Sequence, residues 1–185
     1  MLKNIKLTMF KCFALAIIFL LSSCSSTKVE EYASETPVLK LADYFNGKTH
    51  AYGIFTDRGG KVVKRFTVEI ASNWTNIDGI NTGTLDESFQ YSDGTTQKRI
   101  WTIKEIAPNQ YEGTAADVVG KAIGMSSGNA LNWKYTLSLP VDGKNIEVQF
   151  NDWMYLVNPQ VMLNRAQMSK FGVYLGEVTL SFTKD

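Results

Sequence analysis

The 185-residue sequence predicts a mainly β protein: an antiparallel meander that closes into a barrel, preceded by a short N-terminal helix. Three observations predict it. Apolar and polar residues alternate over stretches of roughly 8–11 residues, the signature of strands with one wet face, which belong to antiparallel rather than doubly covered parallel sheets. Turn dipeptides separate these stretches too closely for helical crossovers. Finally, 44% hydrophobic and 12% aromatic residues are enough for one sizeable core, and the length suits one domain.

The chain opens with the positive charges of Lys3, Lys6 and Lys11, followed by nine unbroken apolar residues from Phe13 to Leu21. That run is about half the roughly 20 residues a membrane-spanning helix needs, so it predicts a cleaved signal segment over residues 1–23. Leu21-Ser22-Ser23-Cys24 resembles the bacterial lipobox, in which the cysteine receives a diacylglycerol and becomes the first residue after cleavage. Acylation at Cys24 implies a membrane held through an N-terminal lipid anchor, at about 0.8 kcal/mol per buried CH₂. Ser25, rather than Asp, follows the cysteine. By resemblance to enterobacterial sorting rules, this implies the outer membrane, with the protein on its periplasmic face.

Cleavage removes three of the 19 basic residues and none of the 18 acidic ones, so 16 against 18 leaves a charge of −2. That balance argues against a nucleic-acid partner, which normally meets a basic excess. Cys12 leaves with the signal and Cys24 carries lipid, which excludes thiol nucleophiles, thiolate metal sites and internal disulfides.

Residues 24–37 are polar as far as Thr36 and end at Pro37. They read as a lipidated cysteine and a flexible tether, whose dozen residues from Ser25 to Thr36 reach about 40 Å at full extension. The domain proper then spans 38–185. Val38 to Phe45 suits a short helix stopped by Asn46-Gly47. Beyond it the period becomes two. Val62, Lys64, Phe66, Val68 and Ile70 share a face, as do Leu85, Phe89 and Tyr91. The clearest case is Leu131, Trp133, Tyr135, Leu137 and Leu139, followed by Ile146, Val148 and Phe150, and by Val178, Leu180 and Phe182. Asp57-Arg-Gly-Gly60, Asp93-Gly94, Pro108-Asn109, Asp142-Gly143 and Asn158-Pro159 supply the turns. A meander of about nine strands can close or stack. Hairpin-like connections favour the barrel over a sandwich, and closure removes exposed edges. A membrane-spanning barrel would turn its apolar face to lipid and have no use for a lipobox.

No catalytic residue, metal ligand set or cofactor motif emerges. Gly124-Met-Ser126-Ser-Gly128 matches the G-x-S-x-G elbow, but a strand follows it and His50, the single histidine, precedes it in the chain. His50 is too solitary for a histidine metal site, and no Asp-x-Asp-x-Asp-Gly loop exists. The adjacent carboxylates Asp86 and Glu87 point to opposite faces of a strand and read as surface solvation. Asn151 to Gly172 is the most unusual stretch. Trp153 and Tyr155 alternate with apolar Met154 and Leu156, and Arg165 sits amid apolar neighbours on the returning strand. Arg165 reads either as an anion clamp inside an apolar cavity or as a salt bridge to Asp152 across the hairpin.

The strings Tyr44-Phe-Asn-Gly-Lys-Thr49, Gly53-Ile-Phe-Thr-Asp-Arg58, Arg65-Phe-Thr-Val68, Phe89-x-Tyr-Ser-Asp-Gly94, Tyr111-x-Gly-Thr-Ala-x-Asp117 and Asp152-Trp-Met-Tyr155 resemble one family. Asn164-Arg-Ala166, Met168-Ser-Lys-Phe-Gly172 and Gly176-Glu-Val-Thr-Leu-Ser-Phe182 extend the resemblance over about residues 38–183. It is a family of Gram-negative lipoproteins known as domain of unknown function 3833. The resemblance implies a lipoprotein and carries no activity or catalytic residue with it. Lipocalins are similar in architecture alone, since their G-x-W signature is replaced here by Gly47-Lys-Thr-His50.

An aromatic-rich barrel tethered to a membrane suggests a module that binds a lipid or another apolar or amphiphilic ligand. Trp133, Tyr135, Phe150, Trp153 and Tyr155 are the expected contacts, with Arg165 near an anionic end. The alternatives are an assembly partner in the cell envelope, its protein partner unknown, and an enzyme without a recognisable motif.

Overall fold

The computed structural model describes residues 26–141 and 143–184. Cys24 and the signal segment therefore lie outside the described residues. Ten antiparallel strands form one closed barrel: β1 (Gly47–Asp57), β2 (Val62–Ile77), β3 (Ile80–Tyr91), β4 (Thr96–Ala107), β5 (Gln110–Thr114), β6 (Ala122–Ser127), β7 (Ala130–Val141), β8 (Lys144–Leu156), β9 (Val161–Lys170) and β10 (Val173–Lys184). Each strand pairs with its neighbour in sequence, and β1 closes the ring on β10 from Thr49 opposite Lys184 to Asp57 opposite Gly176.

Period-two alternation does the sorting. Because successive side chains point to opposite faces, one apolar set per strand fills the interior and the intervening polar set meets water. Val68, Ile70, Leu85, Trp101, Leu131, Trp133 and Phe182 are buried in one continuous cluster. Leu137, Val148, Phe150, Ala166 and Met168 form a second. Tight turns set the register. Asp78 (φ 52°) and Gly79 (φ 82°) both adopt the left-handed conformation that a two-residue hairpin demands, and Asn76 Oδ1 accepts from the Gly79 amide at 3.0 Å.

The strand count exceeds the expected nine because β5 and β6 are short and conceal their alternation. Their inward positions include Gly113 and Gly124, where the Trp133 indole covers the backbone and a side chain would collide with it.

The helix expected over Val38–Phe45 forms as one turn, α1 (Leu41–Tyr44), and Leu39, Leu41, Tyr44 and Phe45 are buried at one end of the barrel. This segment stoppers that end. The Tyr44 hydroxyl donates to the Gln160 carbonyl at 3.1 Å, and the Leu39 amide donates to the Gly128 carbonyl at 2.8 Å.

The tether expected over 24–37 is corrected for its described part. Val29–Tyr32 form a 3-10 turn with Val29 buried, and the Tyr32 ring lies 6.0 Å from Trp153 and 5.5 Å from Tyr155. One apolar and one aromatic residue within a polar stretch suffice to dock it. The docking also explains why β8 is apolar on both faces: its outer aromatics serve as the seat for Tyr32. Gly124–Gly128 lies in β6 and the hairpin after it, not in a strand-to-helix elbow.

Candidate functional site

The barrel interior is not filled. A cavity of about 860 Å³ runs from Leu41 and Phe45 at the stoppered end to Thr95, Thr96, Pro140 and Val141 at the opposite hairpins. Its size falls in the range of small-molecule sites, about 300–1,000 Å³. Aromatic rings dominate its wall: Phe66, Phe89, Trp101, Trp133, Tyr135 and Phe150 all line it. Tyr135 and Phe150 stack at 5.0 Å, and Trp101 meets the Tyr135 ring edge-on at 5.6 Å.

Into this apolar chamber the strands also deliver charge. Arg99, on the inner face of β4, is held between carboxylates from two elements. Its Nε donates to both Asp117 carboxylate oxygens (3.1 and 3.0 Å) and its Nη2 to Oδ2 (2.8 Å), while Nη1 lies 3.8 Å from Glu87 on β3. Asp117 belongs to the segment between β5 and β6. It docks on β7 through the Ser138 amide, which donates to the Asp117 carbonyl (2.8 Å), and through a bridge between Val118 and Leu137. The fork from Arg99 to Asp117 therefore crosses the gap left where short β5 and β6 end before β4 and β7 do.

A second polar group stands on β8 and β9. Asp152 accepts from the Tyr135 hydroxyl (3.0 Å) and from the Asn164 amide nitrogen, which also donates to the Trp153 carbonyl (3.2 Å). Asn164 is buried, and its Oδ1 acceptor has no hydrogen-bond partner among the described residues.

Burial sets the acidities of this cluster. Desolvation pushes the Glu87 carboxyl up to about 7 against the pull of Arg99, with Asp117 and Asp152 pushing the same way. Desolvation likewise raises Asp152 to about 6, although Tyr135 and Asn164 hydrogen-bond its charged form. The Tyr135 hydroxyl is pushed well above its ordinary value, first by burial and then by Asp152. Burial opposes the Arg99 charge, but Asp117 and Glu87 outweigh it and the guanidinium stays protonated.

These shifts predict a pH effect with a definite sign. A carboxyl whose folded value is raised binds its proton more tightly in the folded state, so stability falls as pH rises from the unfolded value through the folded one. For Glu87 and Asp152 that window runs from about pH 4 to about 7. Melting temperature should therefore decline between about pH 5 and pH 8, and Glu87→Gln should flatten the decline. A wild-type melting temperature that rises across this window would show that the two carboxyls are not desolvated.

The expected contact residues divide into two sets. Trp133, Tyr135 and Phe150 line the cavity. Trp153 and Tyr155 do not; they stack on each other (5.9 Å) on the outer face beneath Tyr32. Arg165 is likewise corrected. It alternates with inward-facing Asn164 and Ala166, so it projects outward, is 62% exposed, and pairs through Nε with Glu177 on β10 at 2.6 Å. Asp152 lies on the opposite face of the sheet from Arg165 and is not its partner. Glu87, read as a surface carboxylate, is interior, as is Arg99. The missed signal is the same period of two: Leu85-x-Glu87-x-Phe89, Arg99-x-Trp101 and Phe150-x-Asp152-x-Met154 each place the charge on the buried face. Among the described residues no group of three or more His, Cys, Asp or Glu side chains is arranged to hold a metal, and no helix is long and apolar enough to cross a membrane.

Fold and cavity together define an up-and-down barrel of the lipocalin-like kind. The chain belongs to the family described as a protein of unknown function (DUF3833), whose model matches residues 18–184. No curated protein matches the sequence. Among solved structures, an S-type phycobiliprotein lyase, CPES, from Guillardia theta is similar with a TM-score of 0.54 at 6% identity, over 86% of this chain and 98% of that one. A protein of unknown function from the DUF3598 family of Nostoc punctiforme gives 0.48 at 10% identity over 87% of this chain, which spans only 53% of that protein. A de novo designed fluorescence-activating β-barrel gives 0.41 at 14% identity, covering 80% and 99%. The likeness to the lyase shows the shared fold alone.

Proposed function

We propose that this protein binds a small molecule with substantial apolar bulk inside its barrel. The observation that carries the reading is the 860 Å³ aromatic-lined cavity, closed at one end by Leu41 and Phe45 and reaching the hairpins at the other. A chamber of this size walled by aromatic side chains offers an apolar ligand close dispersion contacts and burial of its apolar surface.

The test is direct. N-phenyl-1-naphthylamine, a neutral apolar fluorophore, should brighten on binding with micromolar affinity. Leu139→Trp or Val178→Trp, each narrowing the cavity from its wall, should weaken that binding at least about tenfold while the circular dichroism stays native. Equal binding by both folded variants would move the fluorophore to the outer surface and end the reading. Anchoring through acylated Cys24 at the periplasmic face of the outer membrane belongs to the same proposal. It is supported by the lipobox resemblance, and fatty-acid labelling that persists in Cys24→Ala would remove it.

A further inference from the structure

We infer, resting on the binding reading above, that the occupant carries a protonated amine, seated where Glu87, Asp152 and Asn164 face the cavity among the rings of Trp101, Tyr135 and Phe150. Among the described residues, the cavity is lined by three carboxylates, Glu87, Asp117 and Asp152, and by two cations, Arg99 and Lys64. Asp117 takes three of the Arg99 hydrogen bonds, and Glu87 has only the more distant 3.8 Å approach. Among the described residues Asp152 has no cation partner, and Glu87 only shares Arg99, which Asp117 holds more closely. Lys64 lies on the cavity wall but is engaged elsewhere, paired with Asp93 at 2.9 Å and seated 4.6 Å over the Tyr91 ring.

Asn164 points the same way from independent geometry. It lines the cavity, is 2% exposed, commits its amide nitrogen to Asp152 and the Trp153 carbonyl, and leaves Oδ1 without a partner among the described residues. A buried acceptor left unmade is costly, and a ligand donor relieves it. An ammonium offers three N–H groups to a site built of acceptors, and aromatic faces add attraction for a cation. A fatty-acid carboxylate would meet the reverse: repulsion from Glu87 and Asp152, and a guanidinium already committed to Asp117. Anionic amphiphiles, including palmitate, are therefore disfavoured.

Protonation follows. The groups facing Glu87 are Arg99 and Trp101 from β4, Asp117 from the β5–β6 segment, Tyr91 from β3, Tyr135 from β7 and Asp152 from β8; those facing Asp152 are Tyr135, Asn164 and Glu87. With burial raising both carboxyls, an arriving ammonium must displace their protons, so its affinity should grow with pH while a neutral ligand's stays level.

Displacement of N-phenyl-1-naphthylamine from the full-length protein tests this with three ligands of one chain length: decylamine, decanol and decanoate. At neutral pH decylamine should compete at least about tenfold better than either of the others, the scale of one charge-assisted hydrogen bond. That advantage should shrink between about pH 8 and pH 5.5 and should vanish in Glu87→Gln, with decanol unchanged. Asp152→Asn serves as the second variant if Glu87→Gln does not fold. Decanoate competing as well as decylamine, a pH-independent amine affinity, or a variant that weakens all three ligands equally overturns the inference while leaving a binding barrel in place. Failure of the fluorophore and all three ligands to bind overturns both readings.

Discussion

Arg99→Met should destabilise the fold by about 3–5 kcal/mol at pH 7.5, the usual cost of removing one member of a buried ion pair. Its side chain is 16% exposed, and its partners Asp117 and Glu87 are 23% and 14% exposed, so water screens none of them strongly. Removing the guanidinium strands two carboxylates in an apolar chamber and severs the fork that ties the β5–β6 segment to β4. Beyond Thr102, where pairing with β5 stops, the outer half of β4 has β3 as its one strand partner among the described residues. The loss should be smaller at about pH 5, because Glu87 can then take a proton instead of a cation. Arg99→Lys should recover only part of it, since an ammonium cannot reproduce the two-toothed contact. Urea titrations at both pH values measure each difference. A loss below about 1 kcal/mol would mean the pair behaves as a solvent-exposed one.

The barrel was legible in the sequence because one face of each long strand must be wet. Leu131, Trp133, Tyr135, Leu137 and Leu139 could belong to nothing else, and the register of β7 on β8 follows directly, Tyr135 opposite Phe150 and Leu137 opposite Val148. Where the marker residue is glycine the pattern fails: Gly113 and Gly124 face inward yet carry no apolar side chain to announce it. The polar site was hidden for a different reason. Glu87, Arg99 and Asp152 occupy inward positions by spacing alone, but charge on a strand is ordinarily solvated, and chemistry overrode periodicity in reading them. Arg165 is the converse, drawn inward by apolar sequence neighbours that in fact project to the opposite face. Asp117 could not be found by spacing at all, because it comes from an irregular segment whose position depends on the premature ends of β5 and β6. Nor does any pattern of residue types state how much volume ten strands enclose. The cavity follows from closure.

Trp133→Ala should also cost about 3–5 kcal/mol, the range for truncating a buried aromatic side chain. The indole is 4% exposed, packs edge-on against Trp101 at 6.1 Å, and covers the backbone at Gly113 and Gly124. That last contact makes the prediction specific to this packing. An alanine at Gly124 would place its Cβ within the Trp133 ring, and the ring has little room to yield because Trp101 stands against it. Gly124→Ala alone should therefore cost about 1–3 kcal/mol or more through overpacking. In a Trp133→Ala background the same methyl enters the space the indole has left, and its cost should fall to near zero or reverse. The double-mutant cycle should accordingly return a coupling energy of about 1–3 kcal/mol between the two positions, read from chemical denaturation of the four proteins. Strict additivity would show that the glycine is required by the backbone of β6 and not by the ring, and a Trp133→Ala loss below about 1 kcal/mol would place the indole outside the load of the core.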